Sequence, residues 1–198
     1  MKNKSVDFFD IQFRRQVAAG EYALNPFEQA AAPFVSGRAL DLGCGLGNLS
    51  IEAARNGASV TAVDASPAAI QRIRQTTAAE NLGIEAVLTD MDQYAIQGPF
   101  DTVIAIGLLM FFRRERALKM LSNVKNAVAP GGKVIVNMLI EGTTYLDMFD
   151  GNNYCLLGRD ELADQFSGWR ILLSRHDSFA APNDTKKIFF TVIAAKPD

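Results

Sequence analysis

Three glycines at alternate positions, Gly43, Gly45 and Gly47, break the run Arg38-Ala39-Leu40-Asp41-Leu42-Gly43-Cys44-Gly45-Leu46-Gly47-Asn48-Leu49 where an apolar strand ends and a helix can begin. Glycine lacks a Cβ and tolerates positive φ, so this turn offers bare peptide groups to a ligand that approaches the backbone closely. The expected ligand is a nucleoside-containing cofactor. A dinucleotide turn carries G-x-G-x-x-G, but here Asn48 follows Gly47 and the pattern is G-x-G-x-G; a phosphate loop ends in Gly-Lys-Ser or Gly-Lys-Thr, and this one does not. Asp41, just ahead of the glycines, suits an ammonium group better than a phosphate, which points to a cofactor with an amino-acid tail. A second carboxylate, Asp64, ends the apolar stretch Val60-Thr61-Ala62-Val63, about twenty residues beyond the turn, where it can accept hydrogen bonds from both hydroxyls of a ribose. The plainer role for Asp64 is to cap the helix that Ser66 and Pro67 begin.

Few other side chains suit chemistry. Cys44 and Cys155 have no metal-ligand spacing and suggest no disulfide framework, and no metal is expected. Cys44 is either a thiol activated at a helix N-terminus or a small side chain tucked behind the cofactor. His176, the only histidine, and Tyr145 are the candidate general bases.

These residues need a frame, and the alternation of apolar strands with amphipathic stretches argues for a doubly wound, mostly parallel sheet with helices on both faces. Strands are expected near 39–42, 59–64, 85–89, 101–106, 133–139, 169–174 and 188–195, and helices over 48–56, 67–81 and 114–128, the last ending before Pro130-Gly131-Gly132. Residues 1–36 form an aromatic arm with Phe8, Phe9, Phe13 and Tyr22, read as a lid. Residues 37–139 form the cofactor-binding core, 140–168 a substrate-side insertion, and 169–198 a closing strand pair, all in one domain. The insertion follows the fifth strand at the carboxyl edge, where open α/β sheets bind ligands. Phe9, Met110, Tyr145, Phe149 and Tyr154 are the candidate substrate contacts, forming an apolar, partly aromatic pocket.

Asp41-x-Gly43-x-Gly45-x-Gly47 followed by Asp64 resembles motifs one and two of the class I methyltransferases that use S-adenosylmethionine. The resemblance runs from about Gly37 to Leu139 and implies a seven-stranded Rossmann-like sheet with an antiparallel last strand. It also implies that Asp41, Gly43, Cys44, Gly45 and Gly47 hold the methionine portion, that Asp64 and its neighbour Ala65 face the ribose, that Asp90 and Met91 face the adenine, and that the strand ending at Ile106 passes beneath the sulfonium. A narrower likeness, carried by Leu108-Leu109-Met110-Phe111-Phe112, Pro130-Gly131-Gly132-Lys133 and Asp160-Glu161-Leu162 ahead of Gly168-Trp169, is to the small tellurite-resistance methyltransferases. Where those proteins carry a histidine and arginines before the final strand, this chain has Phe179 to Lys187.

The activity expected is methyl transfer to a small-molecule acceptor, with a regulatory S-adenosylmethionine-binding protein and a nicotinamide oxidoreductase as alternatives. With 198 residues, 48% of them hydrophobic and 21% charged, the chain can build one sizeable core. A net charge of -2 gives no broad attraction to nucleic acid or an anionic membrane. The longest apolar run, Val103 to Phe112, falls short of the roughly 20 residues that span a bilayer. Met1 to Asp7 has basic residues with no apolar segment behind them, so no secretory signal and a cytoplasmic location are expected, as a monomer or homodimer.

Overall fold

The computed structural model describes residues 4–151 and 153–198; Met1 to Asn3 of the expected arm lie outside the described residues. The chain opens with helices α1 (Lys4–Ala19) and α2 (Pro26–Ala31), followed by a short 3-10 turn at Ala32–Phe34. Then come β1 (Arg38–Leu42), α3 (Asn48–Arg55), β2 (Ser59–Asp64), α4 (Pro67–Glu80), β3 (Ile84–Leu88) and β4 (Phe100–Ile106). A 3-10 turn at Leu109–Phe111 leads to α5 (Arg114–Ala127), β5 (Val128–Leu139), α6 (Arg159–Asp164), β6 (Arg170–Ala181) and β7 (Thr185–Ala195). Among the described residues no helix is long and apolar enough to cross a membrane.

The seven strands form one sheet in the order β3-β2-β1-β4-β5-β7-β6, parallel except for β7, which runs antiparallel to both neighbours. This is the doubly wound sheet expected from the sequence. Strand order reverses beside β1, where α/β sheets open a crevice for ligands. The central strands are apolar on both faces because helices cover both. Ala39, Ile104 and Ile135 face the side packed by Leu49 and Ala53 of α3 and Ile70 and Ile73 of α4, while Leu40, Val103, Val134 and Val136 face Leu121 and Val124 of α5.

Local signals set the helix ends. Ser66 Oγ accepts from the Ala69 amide at 3.2 Å and caps α4, whose far end closes on Asn81 at φ 52°. Asn25 caps α2 in a reciprocal pair with Glu28.

Two segments differ from expectation. β5 begins at Val128, not Lys133, because Val128 pairs with Phe100 and Lys133 with Thr102, and the intervening Pro130-Gly131-Gly132 bulges out between them. The final hairpin is far longer than 169–174 and 188–195, with Ala181 pairing Thr185 across a tight turn in which Asn183 and Asp184 have φ of 58° and 56°. Residues 175–187, which lie outside both expected strands, are thus mostly strand, since β6 is an edge strand with little apolar alternation to reveal it.

Candidate functional site

A cavity of about 430 Å³ lies over the carboxyl ends of β1, β4 and β5, roofed by α1. Its first end is built on the glycine turn. Gly43, Gly45 and Gly47 have φ of 65°, 53° and 69°. The Gly43 and Cys44 amides donate to the Val63 carbonyl at 2.8 and 3.1 Å, binding the turn to β2. A Cβ on Gly47 would stand 2.5 Å from Ile73, and one on Gly45 would stand 3.1 Å from the Phe13 ring of α1. The turn therefore has glycines because both helix α4 and the roof press against it.

Carboxylates crowd this end. Asp64 accepts from the Gly45 amide at 2.9 Å and the Ser66 amide at 2.8 Å, fixing both the turn and the start of α4. It holds the cap residue Ser66 without capping the helix itself, and it lines the cavity. Burial raises its pKa against the lowering effect of those amides. Asp41, fully buried, accepts from Ser50 Oγ at 2.6 Å, and burial, with the Glu28 and Asp64 charges adding to it, pushes its carboxyl up to about 7. Glu28 of α2 joins them from the arm, its pKa also raised by burial. Asn48 at the start of α3 lines the same end, and its buried Oδ1 has no hydrogen-bond partner. Three raised carboxyls and an orphaned amide oxygen call for a ligand that brings hydrogen-bond donors and positive charge.

The roof is fastened at both ends. Asp10 of α1 accepts from Ser66 Oγ at 2.6 Å and from the Ala68 amide at 3.3 Å, and Ser5 Oγ donates to the Met148 carbonyl at 3.2 Å. Against the burial that raises its pKa, hydrogen bonds from Ser66, Arg14 and Ala68 hold Asp10 below the usual carboxylate range. Between these points Phe9 meets Phe111 edge-on at 5.2 Å.

The second end lies over β5 and β7. Asn137 of β5 sits beside Ile106 on one side and Thr191 on the other. It is fully buried, its Nδ2 donates to Thr191 Oγ1 at 2.9 Å, and its Oδ1 has no partner. Phe189 and Lys187 continue along β7, and Phe27 of α2 packs on Phe189 at 4.6 Å between ring centres. Lys187 Nζ lies 4.5 Å from the centre of the Tyr145 ring, and burial lowers its pKa.

All the residues assigned to a cofactor line this cavity: Asp41, Gly43, Cys44, Gly45, Asp64, Ala65, Asp90, Met91 and Ile106, with the exception of Gly47, which supports the turn from behind against Ile73. Burial, with the Asp64 and Asp41 charges, drives the Cys44 thiol well above its ordinary pKa, the opposite of the lowering that activates a thiol. Phe9 and Met110 line the cavity as well. Tyr145, Phe149 and Tyr154 do not. Phe149 stacks on Tyr154 at 4.6 Å and meets Phe111 at a tilt at 5.3 Å, supporting the wall from outside it, and Tyr145 touches the lining residue Lys187. His176 sits within β6, stacked on Phe190 at 4.5 Å and outside the lining, with burial lowering its pKa, so it is not placed as a base there. The sequence reading missed Glu28, Asn48, Asn137 and Lys187. Asn25 caps the helix that carries Glu28, but only the folded arm brings Glu28 to the cavity.

Comparison with known proteins agrees with this architecture. A methyltransferase-domain family model matches residues 39–132. The chain is 26% identical over 200 residues to the probable S-adenosyl-L-methionine-dependent methyltransferase TehB of Haemophilus influenzae, an alignment covering 98% of this chain and 67% of that protein. It is 36% identical over 124 residues to the ubiquinone biosynthesis O-methyltransferase of Caulobacter sp., covering 60% of this chain and 48% of the relative. The crystal structure of Haemophilus influenzae TehB superposes with a TM-score of 0.76 at 24% identity, covering 91% of this chain and 65% of that one. The chain thus spans about two thirds of the length of the relatives it matches end to end.

Proposed function

We propose that the chain is an S-adenosylmethionine-dependent methyltransferase of the TehB-like kind, which transfers a methyl group from S-adenosylmethionine to a small-molecule acceptor held in the same cavity. The observation that carries this reading is the polarity of the cavity, with carboxylates and an orphaned amide oxygen at the β1 end and a mostly apolar wall at the β5–β7 end. Asp41, Glu28 and Asn48 would receive the ammonium group of the cofactor's amino-acid tail. Asp64 would face the ribose, Asp90 and Met91 the adenine, and Ile106 the floor beneath the sulfur. When bound, S-adenosylmethionine supplies an electrophilic methyl group on a sulfonium centre.

The protein's own contribution is alignment and exclusion of water. An in-line displacement from a sulfonium releases a neutral thioether, so acceleration comes chiefly from holding donor and acceptor end to end and stripping water from the acceptor. The α1 roof, with Phe9 against Phe111, closes the cavity over that line. With His176 outside the lining, an acceptor that is already ionised needs no base from this chain.

Calorimetry with S-adenosylmethionine, S-adenosylhomocysteine and NADH tests the reading. Micromolar binding of the first two and none of the third is expected, followed by methyl transfer in a screen of thiols, selenite, tellurite and phenols. Binding of NADH alone, or of none of the three, overturns it.

A further inference from the structure

Asn137 and Lys187 are left unused by the cofactor end, and the β7 register relates them. Asn137 pairs with Thr191, and Lys187 lies four residues before Thr191 on the same strand. Residues at even separations on a strand share a face, so Thr191, Phe189 and Lys187 form one row, about 13 Å long at the usual rise per residue. Asn137 marks the deep end of that row, beside Ile106. Because β7 runs antiparallel, Lys187 marks the outer end, beyond the last residue of β5. Phe189, with Phe27 on it, fills the middle.

Each end lacks a partner. Asn137 Oδ1 is a buried acceptor with no donor, beside the Nδ2 that donates to Thr191 Oγ1. A buried acceptor left unmatched is costly, so a ligand that donates to it gains most of that cost back. Lys187 is the one cationic side chain among the described residues of the lining, and no described carboxylate pairs with it; its ammonium rests on the Tyr145 ring alone.

We infer that the acceptor is an elongated, largely apolar molecule with a protic group at its inner end, donating to Asn137 Oδ1, and an anionic group at its outer end, held by Lys187. The inference rests on the methyltransferase reading only in calling this ligand the acceptor. Asn137 anchors the inner end, and Lys187 selects for charge and length.

The test is a ladder of (4-hydroxyphenyl)alkanoates of increasing chain length, with 4-alkylphenols lacking the carboxylate and phenylalkanoates lacking the hydroxyl as controls. Binding is measured by calorimetry on the full chain, with and without S-adenosylhomocysteine. An optimum length is expected, at which the full ligand binds at least about tenfold tighter than either control, the range expected for hydrogen bonds to charged or buried groups. Lys187→Ala removes the advantage over the alkylphenol and leaves the advantage over the phenylalkanoate; Lys187→Arg keeps both. Asn137→Ala does the converse. S-adenosylhomocysteine binding by the same variants reports an intact fold, and its failure in the unaltered chain counts against the methyltransferase reading alone. No optimum length, no binding along the ladder, or a carboxylate preference that survives Lys187→Ala overturns the inference.

Discussion

At the β1 end of the cavity a ligand meets backbone and carboxylates contributed mostly between positions 41 and 64, within one β-α-β unit, with Glu28 of α2 added from outside it. At the β7 end it meets side chains from α1, α2, the turn after β4, β5 and β7, brought together only by the closed fold. The first end is rigid by construction, since its turn is tied to β2 and cannot accept even a methyl group at Gly47. The second is a set of side chains on a scaffold that carries on without them. A binding site that serves a fixed cofactor can be encoded in peptide geometry, whereas one that serves a particular acceptor is written in replaceable side chains.

Substitutions can break this contrast or sharpen it. The largest effect is expected from Gly47→Ala, which combines positive φ with a contact against Ile73 and should cost roughly 2 to 5 kcal/mol of stability, read by denaturant unfolding. A neutral result would mean that the turn is not held rigid. Next, Asp64→Ala should weaken S-adenosylhomocysteine binding by about 1 to 3 kcal/mol while the chain still folds. Calorimetry checks this, and unchanged affinity would remove Asp64 from the ribose.

The acidic end also predicts a pH signature. Asp41 has its carboxyl raised from 3.8 to about 7, so between those values the folded chain keeps a proton that the unfolded chain has lost. Stability without cofactor should therefore fall as pH rises across that window and level off above it. Conversely, an ammonium group favours the ionised carboxylate, so S-adenosylmethionine affinity should rise with pH towards 7 with proton release, seen as a buffer-dependent heat. Asp41→Asn should flatten both profiles. The smallest effect is expected at the roof. Asp10→Ala removes a cap shared with α4 and should cost about 1 kcal/mol, visible as faster proteolysis within α1 and little change elsewhere.

The same contrast explains what could be read from the chain. Asp41, the glycines and Asp64 are close in sequence and their types carry their purpose, so the β1 end and the parallel sheet around it were legible. Lys187 was not, because it fell outside both expected strands; the edge strand β6 exposes one face, only half-buries the other, and gives its partner no apolar period to betray the hairpin. Tyr145, Phe149 and Tyr154 were read as wall because aromatic residues near a carboxyl edge suggest a pocket, but Phe149 and Tyr154 stack on each other and support Phe111 from behind. Asn137 lies in a run of valine, isoleucine and methionine, where only its buried, half-satisfied amide marks it out.

The long β6–β7 hairpin gives the molecule a way to diversify. Its turn at Pro182 to Asp184 is exposed, and Lys187 comes two residues after the start of β7. Because strand faces alternate with a period of two, paired residues can be added or removed near the turn without turning any core residue outward. Insertions of that size would exchange the residue at the rim while leaving the glycine turn and the sheet centre untouched. Changing the length of one ribbon thus changes what the rim presents to a ligand, and libraries that vary residues 182–187 in steps of two are the natural place to alter selectivity.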